Sequence, residues 1–374
     1  MSKFKTLLFS DFHAKPFDEK RPHYSKWEFE MKKYCLDIIL KTIKEESITR
    51  VIDLGDFIDR DSPKSWELDL LDYFWSNVPN EVSKEIIWGN HSLNKQSTKR
   101  LYYEEVMKDY YLNKWNVKVH DYVIIGESPN QDIFCSHKYI NKLQNLNKKY
   151  RYIFSHLRSS NGNAFFSDEI NLTIPKNVAS KIYLGDVHNH SEFDNIVYCG
   201  QSSWVEFPQF NEEESKVSSI PSFILLDEDS GEHERVFMFN QDSPYQKKLK
   251  HIKLEDLDNI PLIIEEMRQD YLSNKAFYKV RVYGKKFMID KVKRTFREQK
   301  DIDKFCITEY INLSMNESNH QQINYNKLVK QCLDKNSVSK DLLNYICKTN
   351  DDKGLEDLVT STFATLESMV ENKR

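Results

Sequence analysis

An α/β fold, in which two sheets pack face to face with helices outside, is what the sequence predicts. Three observations predict it. Over residues 4–113, apolar strand-like runs alternate with amphipathic helical runs, the pattern of an α/β unit. From about residue 117 to 239 the pattern changes to short strands with turn residues between them. Five of the strand-like runs end in Asp, His or Asn, which are side chains able to hold a metal ion.

Residues 4–9 form the first strand and deliver Asp11 and His13. Ser25-Lys-Trp-Glu28 matches a capping box, so a helix is expected to open there. Trp27, Met31, Tyr34, Cys35, Ile38, Ile39 and Ile43 follow at helical spacing and lay one face on a sheet. The strand at 50–54 runs into Gly55, whose tight turn lets Asp56 project over the end of the sheet. Ser62-Pro63 marks the start of a helix with Trp66, Leu70, Leu71, Phe74 and Trp75 as its apolar stripe. The strand at 84–88 delivers Asn90 and His91, and a further helix covers about 98–113.

The short runs Tyr122–Ile125 and Ile133–Cys135 suggest that the sheet turns antiparallel. Strands near 151–155 and 181–184 lead to His156 and to Asp186 and His188, and another is expected at 195–199. Phe223–Leu226 and Arg235–Phe239 flank Asp227-Glu-Asp-Ser-Gly231, a hairpin by its turn chemistry. Asn240-Gln-Asp-Ser-Pro244 closes a first domain, 1–244. A small α+β domain is expected over 245–315: helix 257–272, strand 277–282, basic helix 286–299 and strand 305–311. Residues 316–374 read as a helical tail with apolar positions from Leu328 to Val370.

Composition removes several classes. Hydrophobic residues at 39% suffice for a core, which excludes general disorder. Net charge is −4, so any nucleic-acid contact needs a local patch or a partner. Lys285, Lys286, Lys291, Lys293, Arg294 and Arg297, interleaved with aromatics, form such a patch for DNA; a solvated helix face is the equal alternative. Six cysteines without a CxxC pair argue against a zinc cluster and for reduced thiols in a cytoplasmic protein. The N-terminal apolar run is too short for a signal peptide, and no run approaches a membrane span.

The sequence Asp11-Phe-His13, Gly55-Asp56-Phe-Ile-Asp59-Arg60, Gly89-Asn90-His91, Ser155-His156 and Gly185-Asp186-Val-His188 resembles the calcineurin-like metallophosphoesterase superfamily. Its motifs DxH, GD, GNHD or GNHE, H and GHxH appear in that order over roughly residues 4–240. The resemblance implies a four-layer β-sandwich flanked by helices and a centre of two divalent ions. Asp11, His13, Asp56 and His188 would hold one ion; Asp56, Asn90, His156 and Asp186 the other. His137 is the rival to His156. His91 would meet the phosphate or protonate the leaving oxygen. Asp59, with Arg60, is expected to support the ligands from behind.

Two positions depart from the pattern. Ser92 stands where an acid usually orients the histidine, and Asp186 replaces the first histidine of GHxH. A third anionic ligand makes a harder site, which points to Mn²⁺ first and Mg²⁺ second rather than Zn²⁺. Within the superfamily, Gly-Asp-Phe-Ile-Asp-Arg is close to the motif of Ser/Thr protein phosphatases. The additional chain after 244 looks instead like the layout of SbcD-type DNA repair and recombination exonuclease subunits, and Tyr198-Cys-Gly200-Gln-Ser is similar to a stretch found there. That resemblance implies a metal-dependent DNA exonuclease/endonuclease, an SMC-like ATPase partner gripped by the helical tail, and a possible homodimer. A protein or small-molecule phosphatase and a non-catalytic scaffold of a repair complex are the alternatives.

Overall fold

The computed structural model describes residues 4–312 except 61–62, 92–99, 121, 125–131, 137–138, 140–142, 144–145, 147–148, 158–177, 208–215, 241–242 and 254–255. Strands β1 (Lys5–Phe9), β2 (Arg50–Asp53), β3 (Ser83–Ile87) and β4 (Lys118–His120) run parallel, with the helices α1 (Pro22–Glu45), α2 (Ser65–Asn77) and α3 (Arg100–Trp115) connecting them. A second sheet is built from β5 (Tyr122–Ile124), β6 (Ile133–Cys135), β7 (Tyr150–His156), β8 (Ala179–Gly185), β9 (Ser191–Phe193) and β10 (Ile196–Tyr198). After the single-turn α4 (Lys216–Ser219), β11 (Ser222–Asp227) and β12 (His233–Phe237) return to the first sheet as the expected hairpin, β11 lying antiparallel to β1. The strand orders are β12-β11-β1-β2-β3-β4 and β5-β6-β7-β8-β10-β9.

Alternation along each strand produces the layers, because successive side chains point to opposite faces. Leu7, Phe9, Val51 and Ile86 face α1, α2 and α3, whose stripes (Met31, Cys35, Ile39; Leu71, Phe74, Trp75; Tyr111, Trp115) complete the largest core. Leu8, Ile52 and Ile87 point the other way and meet Phe134, Phe154, Tyr183 and Val197 of the second sheet. The far face of that sheet, with Ile153, Ile182 and Leu184, is closed by Leu143 and Leu157. Residues 158–177, between β7 and β8, lie outside the described residues. Arg50 plugs one end of the sandwich, with its guanidinium over the Phe134 and Phe154 rings and paired with Glu85 (2.8 Å) and Asp132 (2.9 Å).

Two expectations are corrected. The two short strands that suggested an antiparallel turn, β5 and β6, do pair antiparallel, but the change goes no further: β6, β7, β8 and β10 are parallel neighbours, and β9 at the other edge runs against β10. Ser25 does not cap α1. The helix begins three residues earlier, at Pro22, and the Ser25 hydroxyl accepts a hydrogen bond from the Asp18 N–H (2.9 Å). Proline is pre-set for the first helical position, and it overrides the capping pattern behind it.

Beyond residue 244 a third sheet forms, in the order β13-β14-β15 (Lys247–Ile252, Phe277–Gly284, Cys306–Asn312). The helix α5 (Ile260–Asn274) makes the crossover between parallel β13 and β14, and α6 (Lys286–Glu298) follows β14. Ile263, Met267, Val280, Val282, Ile289, Val292 and Phe296 form this module's own core. It packs on α1: Phe277 meets Trp27 and Tyr24, the Trp27 indole donates to the Lys275 carbonyl, and Lys247 pairs with Glu28 at 2.9 Å. The chain divides into two units, Met1–Tyr283 with Phe287–Ile311, and Gly284–Lys286 with Asn312–Arg374. The expected helical tail, 316–374, lies outside the described residues. Of the cysteines, Cys35, Cys135, Cys199 and Cys306 are buried thiols. Among the described residues no helix is long and apolar enough to cross a membrane.

Candidate metal centre

The loops leaving β1 and β2 extend the ladder of the strands past their ends. Asp11 N–H donates to the Gly55 carbonyl (3.0 Å), His13 N–H to that of Asp56 (2.9 Å) and Ala14 N–H to that of Phe57 (2.7 Å). Within this zipper Asp11, His13 and Asp56 take left-handed backbone angles (φ 51°, 49° and 59°), and Asp186 does the same at φ 78°. Non-glycine residues pay for such angles, and hydrogen bonds on both sides hold them in place at functional sites. Gly89 and Gly185 allow the close approach: a Cβ on Gly89 would collide with the Asp56 carboxylate, and one on Gly185 with the Ser10 hydroxyl.

The side chains converge over the ends of both sheets. Asp11, His13 and His188 offer ligand atoms within 4.8 Å of one another, as do Asp11, Asp56 and His156, and His13, Asp56 and His91. The Nε2 atoms of His13 and His188 are 3.2 Å apart, and His156 Nε2 is 3.1 Å from Asp56 Oδ2 and 3.9 Å from Asp186 Oδ1. Asn90 donates to Asp186 Oδ1 (3.3 Å), which completes the second group. The backbone N–H of Asp186 also donates to Asp11 (3.0 Å), so the loops of the two sheets are tied together through this carboxylate.

Every feature of the donor set fits two cations. His13 Nδ1 bonds Asp59 Oδ1 (2.8 Å) and His156 Nδ1 bonds the Leu54 carbonyl (2.7 Å), which leaves the Nε2 lone pairs of both rings turned into the cluster. The side-chain oxygen of Asn90 is buried without a hydrogen-bond partner, a ligand atom lacking anything else to do. Burial would lower the basicity of His13, but Asp11, Asp59 and Asp56 outweigh it and hold the imidazole up at about 9. Burial would likewise lower His156, but Asp56, Asp11 and Asp186 raise it to about 10. Burial would raise the Asp11 and Asp56 carboxyls, yet the histidines around them pull both below the usual carboxylate range. Burial lowers His188, but around His13 and His156 the carboxylates of Asp11 and Asp56 favour positive charge at the centre of the cluster.

The expected residues thus come together: Asp11, His13, Asp56, Asn90, His156, Asp186 and His188 line one site, with His91 at its rim and 43% exposed. Ser92 and His137 lie outside the described residues. Asp59 does more than expected, and its partner differs. Its carboxylate bridges His13 and His91 (Nδ1 at 3.3 Å), while Arg60 turns to Glu67 (3.2 Å). Asp53 accepts from the Gly55 N–H (2.9 Å), and burial pushes its carboxyl up to about 8. Three contributors escaped sequence reasoning. The Leu54 carbonyl carries no side-chain signal at all. Lys32, on the buried face of α1, bonds the Phe12 carbonyl (2.7 Å) and Ser203 (2.7 Å) and so supports the β1 loop; a lysine inside an apolar stripe was its only mark. Gln201 N–H fastens the His188 carbonyl (2.9 Å) at the left-handed Gly200 turn.

Residues 4–178 match the model of the calcineurin-like phosphoesterase family, a span that includes Asp11 to His156 and stops short of Asp186. Among solved structures, a dimetal phosphatase from Danio rerio is similar at 12% identity and a TM-score of 0.33, over 64% of this chain and all of that one. A nuclease from Pseudomonas putida is similar at 12% identity and a TM-score of 0.29, over 62% of this chain and 87% of that one. No curated protein matches the sequence.

Proposed function

We propose that this calcineurin-like phosphoesterase domain works as a two-metal phosphodiesterase on DNA, an exonuclease or endonuclease subunit. Two divalent ions, Mn²⁺ first and Mg²⁺ second, would supply the Lewis acidity that polarises a phosphate and eases attack by water. The chain's own residues do the rest. Asp11, His13 and His188 on one side, and Asn90, His156 and Asp186 on the other, would hold the ions, with Asp56 within reach of both groups of side chains. Asp59 Oδ1 lies 3.3 Å from His91 Nδ1 and holds that edge of the ring, which leaves Nε2 as the nitrogen to hand a proton to the departing ester oxygen. The left-handed turns at Asp11, His13 and Asp56 keep these groups in place before substrate arrives.

One observation carries the choice of DNA. In α6 the apolar side chains Met288, Ile289, Val292 and Phe296 are buried, which leaves Lys291, Arg294 and Arg297 exposed. Lys285 and Lys286 are exposed as well, whereas Lys293 lies over the Tyr310 ring and Lys291 also pairs with Asp258. Such a row of cations follows a phosphate backbone without reading sequence. An SMC-like ATPase partner, read from the layout of the tail, and a homodimer, implied by the family resemblance alone, belong to the same reading. A phosphatase is the second reading, favoured by the Asp59–His91 pairing that the Gly-Asp-Phe-Ile-Asp-Arg motif supplies.

The test is hydrolysis of linear single- and double-stranded DNA with Mn²⁺ or Mg²⁺, comparing wild type with His91→Ala and Asp56→Ala. Metal-dependent cleavage lost in both variants is the expected result. Turnover of a phosphomonoester without cleavage of any diester would transfer the assignment to a phosphatase. Intact metal binding and complex assembly with neither activity would leave the scaffold.

A further inference from the structure

Beside the metal centre, where the third sheet meets the start of α1, a cavity of about 410 Å³ opens to solvent. Four cations line it from three separate stretches of chain: Lys15 two residues after His13, Arg21 at the N-cap of α1, and Lys279 and Arg281 on β14. Tyr24 and Phe207, stacked with centroids 6.0 Å apart, line another side; Tyr24 also stacks on Trp27, Lys247 Nζ lies over both cleft rings, and Leu249 and Ile307 add apolar surface. The charge is only partly spent inside the protein. Glu309 holds both Lys279 (3.0 Å) and Arg281 (2.8 Å), and Glu206 also lines the cavity. The four cations therefore exceed the two carboxylates.

The backbone adds to this field. No acidic residue occupies the first turn of α1 and no side chain caps it, so the positive end of a 24-residue helix is left facing the same place as Arg21. The cleft also adjoins the reaction site, because Lys15 lies two residues after His13 on the loop leaving β1. A cleft lined by cations with aromatic and apolar side chains beside them suits a ligand that carries both phosphate and base.

We propose that this cleft is a subsite for single-stranded polynucleotide, which takes a phosphate next to the scissile one between Lys15, Arg21, Lys279 and Arg281 and rests a base or sugar against Tyr24 and Phe207. The proposal rests on the nuclease reading and names the part of that substrate held outside the metal centre. It makes the module after residue 244 part of the substrate site.

The test reads binding without cleavage. A fluorescein-labelled short oligothymidylate is titrated with the full chain in EDTA, with anisotropy followed over a range of salt concentrations. The variants are Lys279→Gln/Arg281→Gln and, remote from Glu309, Arg21→Gln; thermal melting confirms that each is folded. The double variant is expected to bind about tenfold more weakly and to lower the salt slope by about 1.4, the value for two lost phosphate contacts on a single strand. Arg21→Gln should lower it by about half as much. Unchanged affinity and slope in folded variants would overturn the subsite, as would a wild-type chain that does not bind the oligonucleotide. If that same chain still cuts DNA when Mn²⁺ is added, only the subsite has failed; if it binds through the cleft but never cuts, only the nuclease reading has.

Discussion

Asp59 serves two histidines with one carboxylate, and that sharing makes it a sensitive residue in the site. It orients the Nε2 lone pair of His13 toward the cluster and holds the ring of His91 at the rim. Asp59→Asn keeps the shape but weakens both roles, and a loss of about 10–100-fold in activity or metal affinity is expected from residues of this kind. Steady-state kinetics alongside metal analysis would separate the two, and a variant indistinguishable from wild type in both would show that the pairing is idle. His91→Ala removes only the proton donor. Its kcat should fall about 10²–10⁴-fold while bound metal stays the same. Asp186 sets the hardness of the centre, because it adds a carboxylate within 3.9 Å of His156 Nε2. Asp186→His should therefore move the metal preference toward Zn²⁺, and competition between Mn²⁺ and Zn²⁺ with an unchanged ratio would count against that account.

At the scale of elements, α1 is the piece on which two layers depend. Its stripe packs on the first sheet, and Glu28 on another face reaches Lys247 of β13, both of them buried. Burial would raise the Glu28 carboxyl, but the ammonium groups of Lys247, Lys32 and Lys15 hold it down at about 2. A carboxyl lowered from an ordinary 4.5 contributes stability that is complete above 4.5 and disappears as pH falls through 2. Glu28→Gln leaves Lys247 as an uncompensated buried charge and should cost about 3 kcal/mol at neutral pH by urea denaturation. The gap from wild type should narrow near pH 3, within the window just derived; a gap independent of pH would contradict the ion pair. The β3–α3 loop carries a different constraint. Gly89→Ala would drive a Cβ into the Asp56 carboxylate, and a displacement of that order costs about 100-fold in activity. Metal analysis of the purified variant would show depleted ions.

The whole molecule is a frame that brings the ends of two sheets to one point, and a ligand bound there should stabilise all of it. With Mn²⁺ at about 100 times its dissociation constant, the folded state gains about 2.7 kcal/mol. Melting temperature should therefore climb with metal concentration in wild type and stay flat in Asp56→Ala. Much of this frame was legible in the residues. Leu7-Leu-Phe, Val51-Ile and Ile86-Ile announce buried strands, and the Gly-Asp and Gly-Asn pairs behind them announce the turns, because composition and period act locally. Other parts were not. β13, with the sequence Lys-Lys-Leu-Lys-His-Ile, looks like a solvated segment, and Lys247 is buried only because Glu28, 219 positions away, neutralises it. Pairing direction in the second sheet was legible only for β5 and β6, for the same reason: whether β6 runs with or against β7 depends on the path of the chain between them. By itself the sequence determined the strands, the metal-binding side chains and their order, since each is a property of a few neighbouring residues. Only the tertiary structure decided that Asp59 serves His91, that α1 starts at Pro22 and that four distant cations share one cleft, because those depend on which surfaces are left facing each other once the layers have packed.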